Sequence, residues 1–181
     1  MRSNSRDDFR VAIICALPLE FDAVQALLDE RYDESISRFG QKGDANWYRT
    51  GRIGQHDVVL TFLPDKGRRS AASAASSLLV SFGRVSLALV VGICGAVPMS
   101  QDGGNIILGD VITGDSVVEH GSGKQYPDGY RPTVEFKDIT GRPNRELRAF
   151  LSGLKAQYMH CQVQKELSCN LVCLQEYSDT N

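Results

Sequence analysis

The sequence predicts an α/β fold: a three-layer αβα sandwich around a mixed, mostly parallel central sheet. Three observations lead there. The run Leu89-Val90-Val91-Gly92-Ile93-Cys94-Gly95-Ala96-Val97-Pro98 is apolar and then breaks into a glycine-flanked loop, as a central parallel strand covered on both faces does where it ends. A second apolar run, Ile13-Ile14-Cys15-Ala16-Leu17-Pro18-Leu19-Glu20, ends as abruptly. Apolar stretches also alternate with segments of helical spacing, the order that builds a sheet flanked by helices.

Along the chain, residues 10–16 read as a short apolar strand. Pro18 follows at a position suited to a first helical turn. Phe21, Val24, Leu27 and Leu28 recur at helical spacing, which predicts an amphipathic helix over 18–29. Residues 32–44 are polar, contain Gly40 and Gly43, and read as loop. Residues 47–50 and 57–62 flank a glycine-bearing turn at 51–56, a hairpin signal. The Ala-, Ser- and Leu-rich stretch 69–82 reads as a closely packing helix, with Gly83 placed to end it. Residues 87–93 are the central strand, and 105–113 a further one that 115–119 extends or follows. Residues 121–132 read as loop. Leu147, Phe150, Leu151 and Leu154 share one side of a last helix over 145–158, and the residues beyond carry no strong pattern. The sequence holds no internal repeat and no low-complexity tract.

Composition narrows the function. Hydrophobic residues make up 42% of 181, enough for a real core, in one domain or slightly more. Twenty Lys and Arg stand against 22 Asp and Glu, so nothing points to a nucleic-acid or membrane-surface protein. No apolar run approaches the roughly 20 residues that span a bilayer. Residues 1–8 are polar, without the apolar core of a secretory signal, and read as a short disordered lead. Five cysteines are an odd number, and Cys15 and Cys94 sit at apolar strand ends. Buried free thiols in a reducing cytoplasm fit that placement better than disulfides. His160, Cys161, Cys169 and Cys173 lack paired metal-ligand spacing, so no metal is expected.

Three places could carry chemistry. Glu20 opens the first predicted helix, just past a strand end where pockets form in open α/β sheets. An acidic first-turn residue also favours the helix dipole, but Leu17 stands where a full capping box needs Ser or Thr. A carboxylate there suits general-base work on water. Gly67, Arg68 and Arg69 precede the Ala-rich helix, where backbone amides attract anions and arginines add bidentate contacts. A solvated arginine pair is the plainer reading. Gly92 and Gly95 permit close approaches that a Cβ would block. Cys94 has no evident base beside it and reads as a packed thiol rather than a nucleophile. Two lookalikes fail. Gly121-Ser122-Gly123-Lys124-Gln125 lacks the Ser or Thr after lysine and the earlier glycine of a phosphate-binding loop, and no G-x-G-x-x-G exists for a dinucleotide.

The two quoted runs, together with Ile107-Leu108-Gly109-Asp110-Val111-Ile112, resemble the nucleoside phosphorylase and nucleosidase family. The likeness is to its fungal branch, found as the N-terminal domain of NLR-type receptor proteins. It implies a phosphorylase/hydrolase-like sandwich that cleaves the N-glycosidic bond of a purine nucleoside, without a cofactor. It further implies that Glu20 positions and deprotonates the attacking water. Gly67 and Arg68 then lie against the ribose or anion side, and Gly92, Ile93, Cys94 and Gly95 line purine and sugar largely through their backbone. Phosphorylases of the family place Arg two residues before that first glycine and Ser directly after it. Val90 and Ile93 stand there in this chain, which favours hydrolysis over phosphorolysis.

The likeness covers residues 9 to 154 and then ends. No Val-Glu-Met-Glu segment is present, and Ser178-Asp179 follows too soon to be the family's late aspartate motif, whose carboxyl protonates the leaving base. The expected organisation is therefore a lead (1–8), the N-terminal part of the domain (9–158) and an atypical tail (159–181), with a sheet incomplete at its C-terminal end. The apolar edge so exposed would be covered by a homo-oligomer or another partner. The contrasting expectation is a non-catalytic module that keeps the fold for nucleoside sensing or assembly.

Overall fold

The first apolar run becomes β1 (Val11–Cys15), and the main sheet is built around it. The structure is a computed structural model that describes residues 5–32, 40–65, 67–98, 105–117, 123–132 and 143–180. It divides into two compact units, Met1–Gly95 with Cys169–Asn181, and Ala96–Ser168. In the first, β1 is flanked in parallel by β4 (His56–Phe62) and β5 (Leu87–Val90), in registers that include Cys15 with Phe62 and Ile14 with Val90. Beyond β4 come β3 (Tyr48–Ile53) and β2 (Glu30–Arg31), both antiparallel to their neighbours, giving the order β2-β3-β4-β1-β5. The sheet is mixed, as expected. Among the described residues it has two antiparallel pairings, from the hairpin and β2, against two parallel ones, so parallel pairing does not predominate there.

Alternation along the strands divides the core in two. Ala12 and Val59 join Phe9, Tyr32, Tyr48 and Phe82 beneath Leu78 of α2 (Arg68–Ser81). Ile13, Cys15, Val58 and Leu60 point the other way, against Phe21 and Val24 of α1 (Pro18–Ala26). The period of two in a strand sends successive side chains to opposite faces, so one helix packs on each. Each fully buried Val, Leu or Phe contributes about 1.5–3 kcal/mol. The hairpin turn is tighter than its sequence suggested. The strands continue to Ile53 and resume at His56, leaving Gly54 at φ +59 with its amide on Asp29 Oδ2 at 2.6 Å.

β5 departs from expectation. Among the described residues it is the sheet's edge, not its centre, and Val90 is 83% exposed. Residues 105–113 do not form the strand that their apolar character predicts. Gly109 takes φ +102, Asp110 Oδ2 accepts from the Ile107 amide at 2.9 Å, and the Asp110 amide donates to Ile107 O at 3.2 Å. An Asp that bonds its local backbone favours such a turn over a ladder. The proposed continuation over 115–119 is irregular through 117, and its last two residues lie outside the described set.

The second unit contains a hairpin where loop was expected, β6 (Gly123–Tyr126) with β7 (Gly129–Pro132). Pro127-Asp128-Gly129 is a turn signal, and Gly129 at φ +138 completes it. The last helix is two: α3 (Arg145–Leu154), capped by Asn144 Oδ1 on the Leu147 amide at 2.8 Å, and α4 (Gln157–Thr180), which carries residues of both units. The break falls just after Gly153, where Lys155 and Ala156 bond back three residues to Ser152 and Gly153. The tail without a strong pattern is thus helical. Within the lead, Arg6–Asp8 form a 3₁₀ turn capped by Ser5. No helix among the described residues is long and apolar enough to cross a membrane.

Candidate functional site

Because β1, β4 and β5 run in parallel, the loops after Cys15, Phe62 and Val90 leave the same edge of the sheet. Open α/β sheets bind ligands along such an edge. β1 ends with Leu63 donating to Cys15 O at 2.9 Å, and β5 ends with Val91 donating to Ile14 O at 3.0 Å. Ala16, one residue past β1, and Gly92, two past β5, are brought side by side when the register of Ile14 with Val90 is continued.

Glu20 joins these two ends. It is the third residue of α1, and its Oε2 accepts from the amides of Ala16 and Leu17, each at 2.9 Å. Leu17 has no side-chain acceptor to return the bond, so only the glutamate half of a capping box forms. Oε1 reaches the Ile93 amide at 2.8 Å, across 73 positions of sequence. Glu20 is 8% exposed, a buried carboxylate satisfied by backbone donors as burial demands. A Cβ on Gly92 would lie 2.6 Å from Oε1 and 2.9 Å from Oε2, so this close approach requires glycine. The structure therefore brings Glu20, Gly92 and Ile93 together.

Cys94 and Gly95 follow on the same turn. Cys94 is exposed, which corrects the packed thiol of the sequence reading: the edge position of β5 leaves this turn uncovered. Among the described thiols the buried one is Cys15, pushed up to about 11 by burial first and by the Glu20 charge second. It stays neutral at physiological pH and is no nucleophile there.

Gly67 and Arg68 line a different feature, an open cleft of about 850 Å³ at the start of α2, shared with Arg69, Ser70, Ser73 and Asn46. No residue of the Glu20 corner lines it. Gly67 takes φ +119, which favours glycine, and its carbonyl accepts from Ala71 at 3.1 Å to begin the helix. Lys66 lies outside the described residues.

The sequence reading missed what holds the cleft's far wall. Asp44 accepts from the Asn46 amide at 2.8 Å, from Tyr48 Oη at 2.7 Å and from Ser81 Oγ. Asn46 Nδ2 donates to Tyr48 Oη at 2.9 Å and to Ala74 O at 2.8 Å, tying this loop to α2. Burial foremost, then the bond to Asp44, pushes the Tyr48 hydroxyl's ionisation up. Asp44 and Asn46, two short polar side chains on either side of Ala45, were the available signal. Among the described residues no group of His, Cys, Asp and Glu is arranged to hold a metal ion.

No family model matches the chain, and no solved structure matches it. Among curated proteins it is similar to a nucleotide-binding leucine-rich repeat (NLR)-like protein of Hyaloscypha variabilis, 35% identical over 133 residues. That match takes in 70% of this chain, which spans only 13% of the relative's length. The chain is thus an α/β protein with a five-stranded mixed sheet, similar to a small part of an NLR-like protein.

Proposed function

We propose that this chain is a nucleoside phosphorylase- and nucleosidase-like domain, a three-layer αβα sandwich of the NLR-associated branch, and that its chemistry is hydrolysis of a purine nucleoside. One observation carries the reading: the Glu20 carboxylate and the Gly92–Ile93 turn, 73 positions apart, meet at 2.8 Å on the ligand-binding edge of the sheet. In the reaction Glu20 takes a proton from water, the water oxygen bonds the anomeric carbon, and the bond to the purine nitrogen breaks. The departing base takes a proton from solvent and Glu20 returns its own to solvent, so water and nucleoside give sugar and free base. Amides of the turn, Ile93 first, hold sugar or base. Free thiols suit a reducing cytoplasm. The rate is low, because general acid catalysis, worth about 10²–10⁴-fold, has no residue assigned to it.

Incubation with adenosine, inosine and methylthioadenosine, with and without phosphate, tests this. Slow base release that does not need phosphate is expected, and Glu20→Gln should remove most of it while the folded state persists. A phosphate requirement, or an unchanged rate in Glu20→Gln, overturns the mechanism. A second reading is favoured by the relative's name: a ligand-sensing or assembly module within an NLR-like protein. Nucleoside binding without any base release selects it.

A further inference from the structure

The two oxygens of Glu20 have different partners. Oε2 stays at home, on the first-turn amides of Ala16 and Leu17. Oε1 leaves its helix for the Ile93 amide and lies directly over Gly92. The space above the turn, where an incoming oxygen would meet that amide, is thus filled by the protein's own carboxylate.

The two sides of this contact are anchored unequally. Glu20 is buried on α1, whereas Gly92, Ile93, Cys94 and Gly95 are all exposed. Val91 is still fixed by its bond to Ile14 O, so the last sheet hydrogen bond precedes Gly92. Among the described residues, nothing lies within 4 Å of the position a Cβ would take at Gly95. The chain therefore has a fixed residue, a glycine and a clasped amide in succession.

We propose that Glu20 is a self-clasp. It closes the candidate site by occupying the Ile93 amide, and a ligand hydroxyl or anionic oxygen must displace Oε1 from that amide to enter. The nature of the ligand rests on the nucleoside reading above. The clasp itself does not.

Amide hydrogen exchange read by NMR tests the clasp on the full chain. In Glu20→Ala the Ile93 amide should exchange about 10- to 100-fold faster, the equilibrium factor of one hydrogen bond to a charged group. The Val91 amide, bonded within the sheet, should keep its rate and so separates loss of the clasp from loss of the fold. Gly92→Ala is the second variant, because it crowds the carboxylate off the turn while leaving Glu20 in the chain, and the same acceleration confined to Ile93 is expected. Unchanged Ile93 exchange in either folded variant overturns the clasp.

Adenosine titration tests displacement. Folded Glu20→Ala should bind adenosine at least several-fold more tightly than the wild type, since nothing competes for the amide. Equal or weaker binding overturns the gating. Absence of binding to both proteins overturns the nucleoside reading and displacement by this ligand, while Ile93 exchange still decides the clasp.

Discussion

Asp44 shows how much structure one short side chain holds. Its carboxylate collects a backbone amide, a tyrosine hydroxyl and a serine hydroxyl, and so binds the segment before β3 to the end of α2. Ser81 is buried, at 2% exposed. Asp44→Ala leaves both hydroxyls short of an acceptor, and each buried unsatisfied donor costs about 1–3 kcal/mol. An unfolding free energy lowered by at least that amount, read as a lower urea midpoint at an unchanged denaturant slope, is the expected result. An unchanged midpoint would show that water replaces the carboxylate at no cost.

Helices and strands contribute very unequally to stability. β4 is the best buried strand, with Val58, Val59, Leu60 and Thr61 all inside. Leu60→Ala removes a side chain at 0% exposure and should cost about 2–5 kcal/mol in chemical denaturation. α3 is the opposite case. Leu147, Phe150, Leu151 and Leu154 form the clearest amphipathic stripe in the sequence, yet the helix has no buried residue, and Phe150 is 58% exposed. Phe150→Ala should therefore stay within about 0.5 kcal/mol of the parent. A large loss there would mean that the stripe is covered in solution. The stripe was legible because periodicity is local. Its burial was not, because burial depends on what another element brings to it.

For the molecule as a whole, alkali is the revealing condition. Cys15 is pushed from 9.0 up to about 11, by burial and then by Glu20. Tyr32 is pushed from 10.0 up to about 12, by burial, then by its hydrogen bond to Asp57 and nearby charge. Both groups hold their proton more tightly when folded than when unfolded. The stabilisation they represent is thus complete below about pH 9 and is lost as pH rises through 11 and 12. Denaturation midpoints should be flat in this respect near pH 8 and fall steadily above 9. Cys15→Ala should remove the lower part of that fall and leave the part due to Tyr32 and Tyr48, whose hydroxyls burial also holds protonated. A midpoint independent of pH up to 12 would contradict the burial of both groups.

The sequence alone identified β1, the β3–β4 hairpin, α1 and α2 within a few residues, because each carries its own periodicity and its own stop. The two apolar runs that finish in loops became β1 and β5, which pair in parallel. Three things depended on tertiary packing. An apolar run such as 87–93 reads the same at the centre of a sheet as at its edge, and only its neighbours place it. Residues 105–113 have strand composition, but a strand needs a partner for its backbone, and Asp110 with Gly109 supplies a local turn instead. The clasp of Glu20 on Ile93 is a contact across 73 positions, and its distance and the need for glycine at 92 exist only once the sheet aligns both ends. Local patterns specify elements; hydrogen bonds between distant segments, which no local pattern encodes, decide where those elements lie and which side chains meet.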